Sequence, residues 1–418
     1  MVARWHVLGV GNYGSLFAHF LRKNGNKVTL LIRDPTTLNM FNKLNRTIEV
    51  TKEFEPEVEV TKGYQAECLQ GDYGNVIDPQ YPNELCPPHL RISKLIVTLK
   101  SHEFSKYYQR IFHRLSPTST IVLFTYGLGS YEELMRDYYS FDEASRPNII
   151  IALNSHHAYK KAKFGSQFKL IHSGFGEIDL GIVPRRFDEI KEKELNINSQ
   201  SLEDNNEDLD EISLPNEKMD NKTEESKTIT AATEADDDDN KGSEIEVDTL
   251  KSVIRSFSRI PELNARCVKY VNLINRKLEN LALNAVIDPL TSIYSIRNGA
   301  LLFNKVAEQT MRPICEETSI VIRKHREYLG MKPSNRFAPE RLIDAVFQIC
   351  IKTRHYESVM LQDVKKNFLT DIDYLNGYIV KLGKFYDIPT PINKFLIDMV
   401  KIRHNLQTNP KVLDELLK

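Results

Sequence analysis

Three glycines near the start of the chain, Gly9, Gly11 and Gly14, stand at G-x-G-x-x-G spacing. A short apolar run, Trp5 to Leu8, precedes them, and a helical pattern from Tyr13 to Leu21 follows. In a dinucleotide site each glycine has its own task. Gly9 permits the tight turn, Gly11 lets the backbone approach a pyrophosphate, and Gly14 lets the helix pack close to the strand. The pyrophosphate rests on unpaired N–H groups where the helix begins, around Asn12. Metal chemistry has less to build on. The five cysteines (68, 86, 267, 315, 350) are widely spaced with no C-x-x-C pair, which argues against a disulfide framework or a zinc site. His156 and His157 are adjacent, and on an extended chain their side chains point in opposite directions.

The elements that position these residues alternate. Apolar runs at 27–32, 95–99, 120–125 and 148–153 read as strands, separated by helical patterns at 104–115 and up to about 138. Residues 40–92 are less regular, with Val58 to Val60 as a short strand. Phe168–Ile171 and Ile178–Ile182 read as a hairpin through His172–Gly176. Alternating strands and helices predict a mostly parallel sheet in residues 1–186. Composition then changes. Residues 188–248 carry 22 Asp and Glu against 6 Lys, which leaves 50 basic and 35 acidic residues elsewhere. With no aromatic residue after Phe187, the stretch 187–247 is expected to be an acidic disordered insertion. From 248 to 418 the pattern is helical: a helix from Cys267 to Ile287 ended by Pro289, then helices near 303–329, 339–352, 371–386 and 391–406, with no convincing strand. The basic remainder suits phosphorylated ligands, nucleic acid or anionic membranes. No apolar run approaches the roughly 18 residues of a membrane span. The first strand starts by about residue 5, which leaves no cleavable presequence and points to a cytoplasmic or mitochondrial location.

Several blocks together resemble the ketopantoate reductase (2-dehydropantoate 2-reductase) family. They are Gly9–Gly14, Val97–Lys100, Asn284–Thr291 with Asp288-Pro289-Leu290-Thr291, Asn298-Gly299, Met360–Asp363, Asp371–Gly377 and Pro389–Asn393. The resemblance implies an α/β Rossmann domain followed by an all-helical, 6-phosphogluconate-dehydrogenase-like C-terminal domain, with NADP(H) and substrate in the cleft between them. Arg33 ends the second strand, where an acidic residue would select NAD; its planar fork suits the 2′-phosphate of NADP. Lys100 matches the family's cofactor-side lysine.

The chemical side departs from the pattern. Ketone reduction needs a proton for the developing alkoxide, and a cleft lysine can supply it. The family's lysine stands eight residues before the asparagine of its Asn-Pro-Leu-Thr motif; here that asparagine is Asp288, and eight back is Asn280. An amide cannot deliver its proton at ordinary pH. Tyr126 replaces an active-site asparagine, Val359 replaces a serine beside Ser358, and Asp371 replaces a substrate-binding glutamate. Asn284 and Asn298 remain as the family has them. Lys277 resembles the family lysine displaced by three residues, a slip of roughly 60° and about 4.5 Å along a helix; that is more than a precise acid position tolerates, so a surface or capping lysine is expected there.

The resemblance therefore carries two functional expectations. The first is an NADP-binding protein with an eroded, non-catalytic cleft. It is similar to a divergent yeast branch that includes a mitochondrial translational activator of cytochrome b mRNA, with an mRNA leader or ribosome as partner. The alternative is an active NADPH-dependent 2-dehydropantoate 2-reductase of pantothenate biosynthesis.

Overall fold

The computed structural model describes residues 4–53, 57–70, 90–160, 168–185, 241–302 and 304–408. Two compact units divide the chain, residues 1–182 with 246–418 and residues 183–245. The architecture described below is that of the first. Residues 187–240, most of the expected acidic insertion, lie outside the described residues.

In chain order the N-terminal elements are β1 (Trp5–Leu8), α1 (Asn12–Lys23), β2 (Val28–Ile32), α2 (Pro35–Lys43), β3 (Ile48–Lys52), β4 (Val58–Thr61), β5 (Gln65–Cys68), β6 (Lys94–Val97), α3 (Ser101–Tyr108), β7 (Thr120–Leu123), α4 (Ser130–Leu134), β8 (Asn148–Asn154), β9 (His157–Lys160), β10 (Lys169–Gly174) and β11 (Ile178–Ile182). Further along the chain come α5 (Lys241–Ser258) and β12 (Ala265–Cys267). An eight-stranded sheet runs β12-β11-β8-β7-β6-β1-β2-β5. All its pairings are parallel except β8 with β11. Every residue of β1, β2, β6 and β7 is buried, as continuous apolar strands covered on both faces must be. The strand order reverses at β1, between β2 and β6. The crevice outside the carboxyl ends of such strands is where an open α/β sheet binds its ligand.

A second sheet, β4-β3-β10-β9, lies over α1. The hairpin expected at 168–182 is not formed. β10 pairs with β3 and β9 in the small sheet, whereas β11 pairs with β8 and β12 in the large one. Residues 175–177 cross between sheets beside the antiparallel crossing at 155–156, joined by Ser155 N to Glu177 O at 3.0 Å. The glycine that suggested a turn serves this close crossing: a Cβ at Gly176 would collide with the Ser155–His156 backbone. Residues 40–92 also hold more strand than expected, because β3 and β5 are completed by partners distant in sequence.

α5 packs its Val253 and Phe257 into the N-terminal core, with the Trp5 and Phe257 ring centroids 5.6 Å apart. β12 then joins the edge of the large sheet, a strand in a region expected to be wholly helical.

The rest is helical: α6 (Tyr270–Tyr294), α7 (Lys305–Tyr328), α8 (Pro339–Lys352), α9 (Val359–Lys365), α10 (Asn376–Phe385) and α11 (Pro391–Thr408). α6 packs against α7, α8, α9 and α11. It does not stop at Pro289 but continues to Tyr294. Proline removes the N–H that would bond the carbonyl four residues back. That carbonyl, Ala285 O, instead accepts from Asn376 Nδ2 at 2.9 Å. Asn376 also donates to Asn393 Oδ1, and Asn393 Nδ2 donates to Glu317 Oε2 at 2.8 Å. The Glu317 carboxylate further accepts from the N–H groups of Ile392 and Asn393 in the first turn of α11.

Candidate active-site cleft

A cleft of about 960 Å³ runs from the glycine loop across the ends of the sheet strands to one face of α6. Its floor is set by sterics. Gly9 has φ +100°, and a Cβ there would lie 2.9 Å from Leu99 N. A Cβ at Gly14 would fall on Gly9 O, so only glycine lets α1 sit this close to the strand end. Thr98 Oγ1 donates to Gly9 O at 2.6 Å and fixes the turn from the other side. Around Gly11 nothing lies within 4 Å of a would-be Cβ, and no side chain caps α1. Gly11 and Asn12 both line the cleft. This is a cradle with uncapped helix N–H groups, which fits a pyrophosphate. Arg33, past the end of β2, is half exposed and lines the same cleft; its NH1 donates to Glu103 Oε1 at 3.1 Å. The residues present therefore fit an NADP(H) molecule.

The other wall comes from α6. Lys277, Asn280, Asn284 and Asp288 all line the cleft, and their spacing places them along one side of a helix. Asn280 is exposed in the open cleft and Asn284 is half-buried, whereas Lys277, expected at the surface, is only 6% exposed because its side chain turns inward toward the loop after β7. Lys277 Nζ donates to Thr125 O at 3.2 Å. Burial lowers its pKa to about 8, against a raising influence from Glu132.

Asp288 is buried and accepts from Tyr126 Oη at 2.8 Å. Burial pushes the Asp288 carboxyl up to about 7, the Tyr126 hydrogen bond opposes this, and Asp363 and Asp371 add to it. The turn carrying Tyr126 is held by Ser101 Oγ, which donates to Tyr126 O, and by Leu128 N, which donates to Tyr374 O at 3.1 Å. Tyr126 and Asp288, two departures from the resembled pattern, are thus partners of one another.

Asp371 is buried and pairs with His102 Nδ1 at 3.1 Å. His102 lines the cleft from the first turn of α3. It was not legible as a site residue; its one local signal is a position just past a strand end. Lys100 forms an ion pair with Asp363 of α9, so the cofactor-side lysine reaches across the cleft. Ser358 caps α9, accepting from Leu361 N at 3.1 Å, and bonds Thr291 Oγ1 at 2.7 Å. Asn298 donates through Nδ2 to Thr353 Oγ1 at 2.9 Å, and its buried Oδ1 lacks a hydrogen-bond partner among the described residues. Both line the cleft.

His156 and His157 diverge. His156 is buried in the sheet crossing, 3.1 Å from His172 Nε2 and 3.0 Å from Leu263 O, while the His157 ring stacks on Tyr356 at 6.1 Å. Among the described residues, no group of three His, Cys, Asp or Glu is placed to hold a metal. None of the described helices is long and apolar enough to cross a membrane.

Comparison with known proteins agrees with this architecture. Residues 5–185 match the sequence model described as Ketopantoate reductase PanE/ApbA, and residues 272–404 match its C-terminal counterpart. A Schizosaccharomyces pombe protein named "Probable 2-dehydropantoate 2-reductase" is 24% identical over 410 residues, covering 96% of each chain. Among solved structures, a PanE/ApbA family ketopantoate reductase from Ralstonia eutropha JMP134 superposes with TM-score 0.63 at 16% identity, covering 97% of this chain and 99% of that one. A D-mandelate dehydrogenase bound to NADH and anilino(oxo)acetate superposes with TM-score 0.62 at 15% identity, over 97% and 99%. With both family segments matched in order and flanking one gap, this chain belongs to the ketopantoate reductase family.

Proposed function

We propose that this protein is an NADP(H)-dependent reductase of a 2-oxo acid, with 2-dehydropantoate as the first substrate to test, and that Lys277 holds the transferable proton. The observation that carries this is the buried Lys277 ammonium on the cleft-lining side of α6, one turn from Asn280. Gly9, Gly11, Gly14 and the start of α1 at Asn12 would hold the pyrophosphate, and Arg33 the 2′-phosphate. NADPH, when bound, supplies hydride to a carbonyl carbon. The chain must then supply charge stabilisation and a proton at the oxygen. An ammonium whose pKa has fallen to about 8 is still mostly protonated at neutral pH and gives up its proton more readily than an exposed lysine. Asp371, fixed by His102, offers a carboxylate to substrate hydroxyls, and Asn284 and Asn298 offer amides. The D-mandelate dehydrogenase ligand, with its carbonyl beside a carboxylate, supports a 2-oxo acid as the substrate class.

The test is NADPH oxidation with 2-dehydropantoate. Lys277→Met is expected to lose about 10²–10⁴ in turnover while still binding NADPH. Wild-type turnover is expected to fall as pH rises through about 8, where Lys277 loses its proton.

A second reading keeps the nucleotide and drops the reaction. It is favoured by the exposed Asn280 amide at the family's lysine position and by Tyr126 occupying the Asp288 carboxyl. The protein would then be a non-catalytic NADP(H)-binding factor, with its basic surface available to the phosphates of a mitochondrial mRNA leader. Absence of turnover in wild type, appearing in Asn280→Lys, would decide for it.

A further inference from the structure

The pair of His102 and Asp371 has an open end. Asp371 is buried in the helical part and His102 stands in the first turn of α3, so the 3.1 Å contact of His102 Nδ1 with Asp371 Oδ1 spans the cleft. An ionised carboxylate can only accept, so Nδ1 carries a proton and the ring orientation is fixed. Nε2 makes no hydrogen bond among the described residues. The ring is 23% exposed and lines the cleft. Position 102 follows the Val97–Lys100 block and lies outside every block that carries the family resemblance.

Contacts place this ring near the proposed acid. Lys277 Nζ donates to Thr125 O, and Ser101 Oγ, next to His102, donates to the following carbonyl, Tyr126 O. The Thr125–Tyr126 turn thus has the ammonium against one carbonyl and the start of α3 against the next. A 2-oxo acid whose carbonyl oxygen meets Lys277 carries its carboxylate on the adjacent carbon, and that anion needs a donor of its own. Most donors around the turn are already engaged. Tyr126 Oη gives its one proton to Asp288. Thr291 Oγ1 donates to Ile287 O at 2.7 Å, so Ser358 Oγ must donate to Thr291 and is left as an acceptor. Lys100 is paired with Asp363. Asn280 and Asn284 can donate but are neutral. His102 Nε2 is an unused donor when both ring nitrogens are protonated, and a carboxylate at each end of the ring favours that form. No side chain caps α3, so the helix start adds partial positive charge on the same side.

We propose that His102 is a specificity residue for the anionic end of the substrate: its Nε2–H, backed by Asp371, receives the carboxylate of the 2-oxo acid. This rests on the reductase reading of the cleft. The second oxygen of Asp371 stays available to a substrate hydroxyl.

Steady-state NADPH oxidation by the full chain tests it. His102→Gln is expected to raise KM for 2-dehydropantoate roughly tenfold or more, with kcat and the KM for NADPH within about threefold of wild type. His102→Arg restores the charge and is expected to recover most of that loss. The uncharged primary amide of 2-dehydropantoate is expected to be used equally by wild type and His102→Gln. A loss confined to kcat, an equal loss for acid and amide, or no recovery in His102→Arg overturns the assignment. If wild type shows no turnover, the reductase reading fails, and calorimetry with oxamate added to the protein in saturating NADP⁺ decides the anion site separately. Oxamate binding that weakens roughly tenfold in His102→Gln upholds the site; equal binding, or none to wild type, ends it.

Discussion

Asp288 shows how one buried group couples the cleft to pH. Its folded pKa of about 7 lies above the 3.8 of an ordinary aspartate. The folded state therefore binds the proton more tightly, and this stabilising contribution is complete below about 3.8 and is lost as pH rises through about 7. Asp288→Asn keeps an acceptor for Tyr126 Oη and cannot ionise. Its melting temperature is expected to gain on wild type steadily from pH 4 to pH 7 and then hold level; a difference that does not change with pH would mean Asp288 is ionised throughout. Residue by residue, the glycines were legible because their task is local: a turn and a close approach leave a spacing in the sequence. His102 was not legible, because its meaning comes from a partner 269 residues away, Asp371. Lys277 was legible only as a displaced lysine; its burial is what makes it a candidate acid.

At the scale of elements, α6 is the wall that carries the chemistry, and it is kept continuous through Pro289 by a side chain from α10. Removing that donor leaves Ala285 O and Asn393 Oδ1 without it, in a site where Asn376 and Asn393 are fully buried. Asn376→Ala is expected to cost about 1–3 kcal/mol in denaturant unfolding, with NADPH affinity little changed because Asn376 does not line the cleft. Retained stability would show that water takes over the freed carbonyl. The Asp371–Gly377 and Pro389–Asn393 blocks, which carried much of the resemblance, thus divide between Asp371 in the cleft and the Asn376–Asn393–Glu317 network under it. Strand existence was mostly legible from apolar runs. Strand partnership was not, since a glycine-rich stretch between two strands reads the same whether the chain turns back or crosses to another sheet.

At the scale of the molecule, the N-terminal core is assembled from residues on both sides of segment 186–240. Val253, Phe257, Ile260 and Leu263 pack with residues of β1, α1 and β2, and β12 completes one edge of the sheet. Two co-expressed pieces, residues 1–185 and 241–418, are therefore expected to co-purify as a folded pair that binds NADPH. Recovery of the first piece alone as a stable, soluble protein would show that α5 is dispensable to that core. Domain order was legible from the switch between alternating and purely helical patterns, but the membership of α5 was not, because its amphipathic face suits either body.

Trp5 is the only tryptophan of the chain. It is fully buried, edge-on to Phe257, with Lys94 Nζ 5.3 Å from its ring. The protein thus carries an intrinsic fluorophore at the seam where the two parts of the chain meet. Its emission should shift to the red when α5 detaches, before the sheet itself melts, and a dihydronicotinamide in the nearby cleft should quench it by energy transfer, so that one spectrum reads both the closing of the seam and the arrival of the nucleotide.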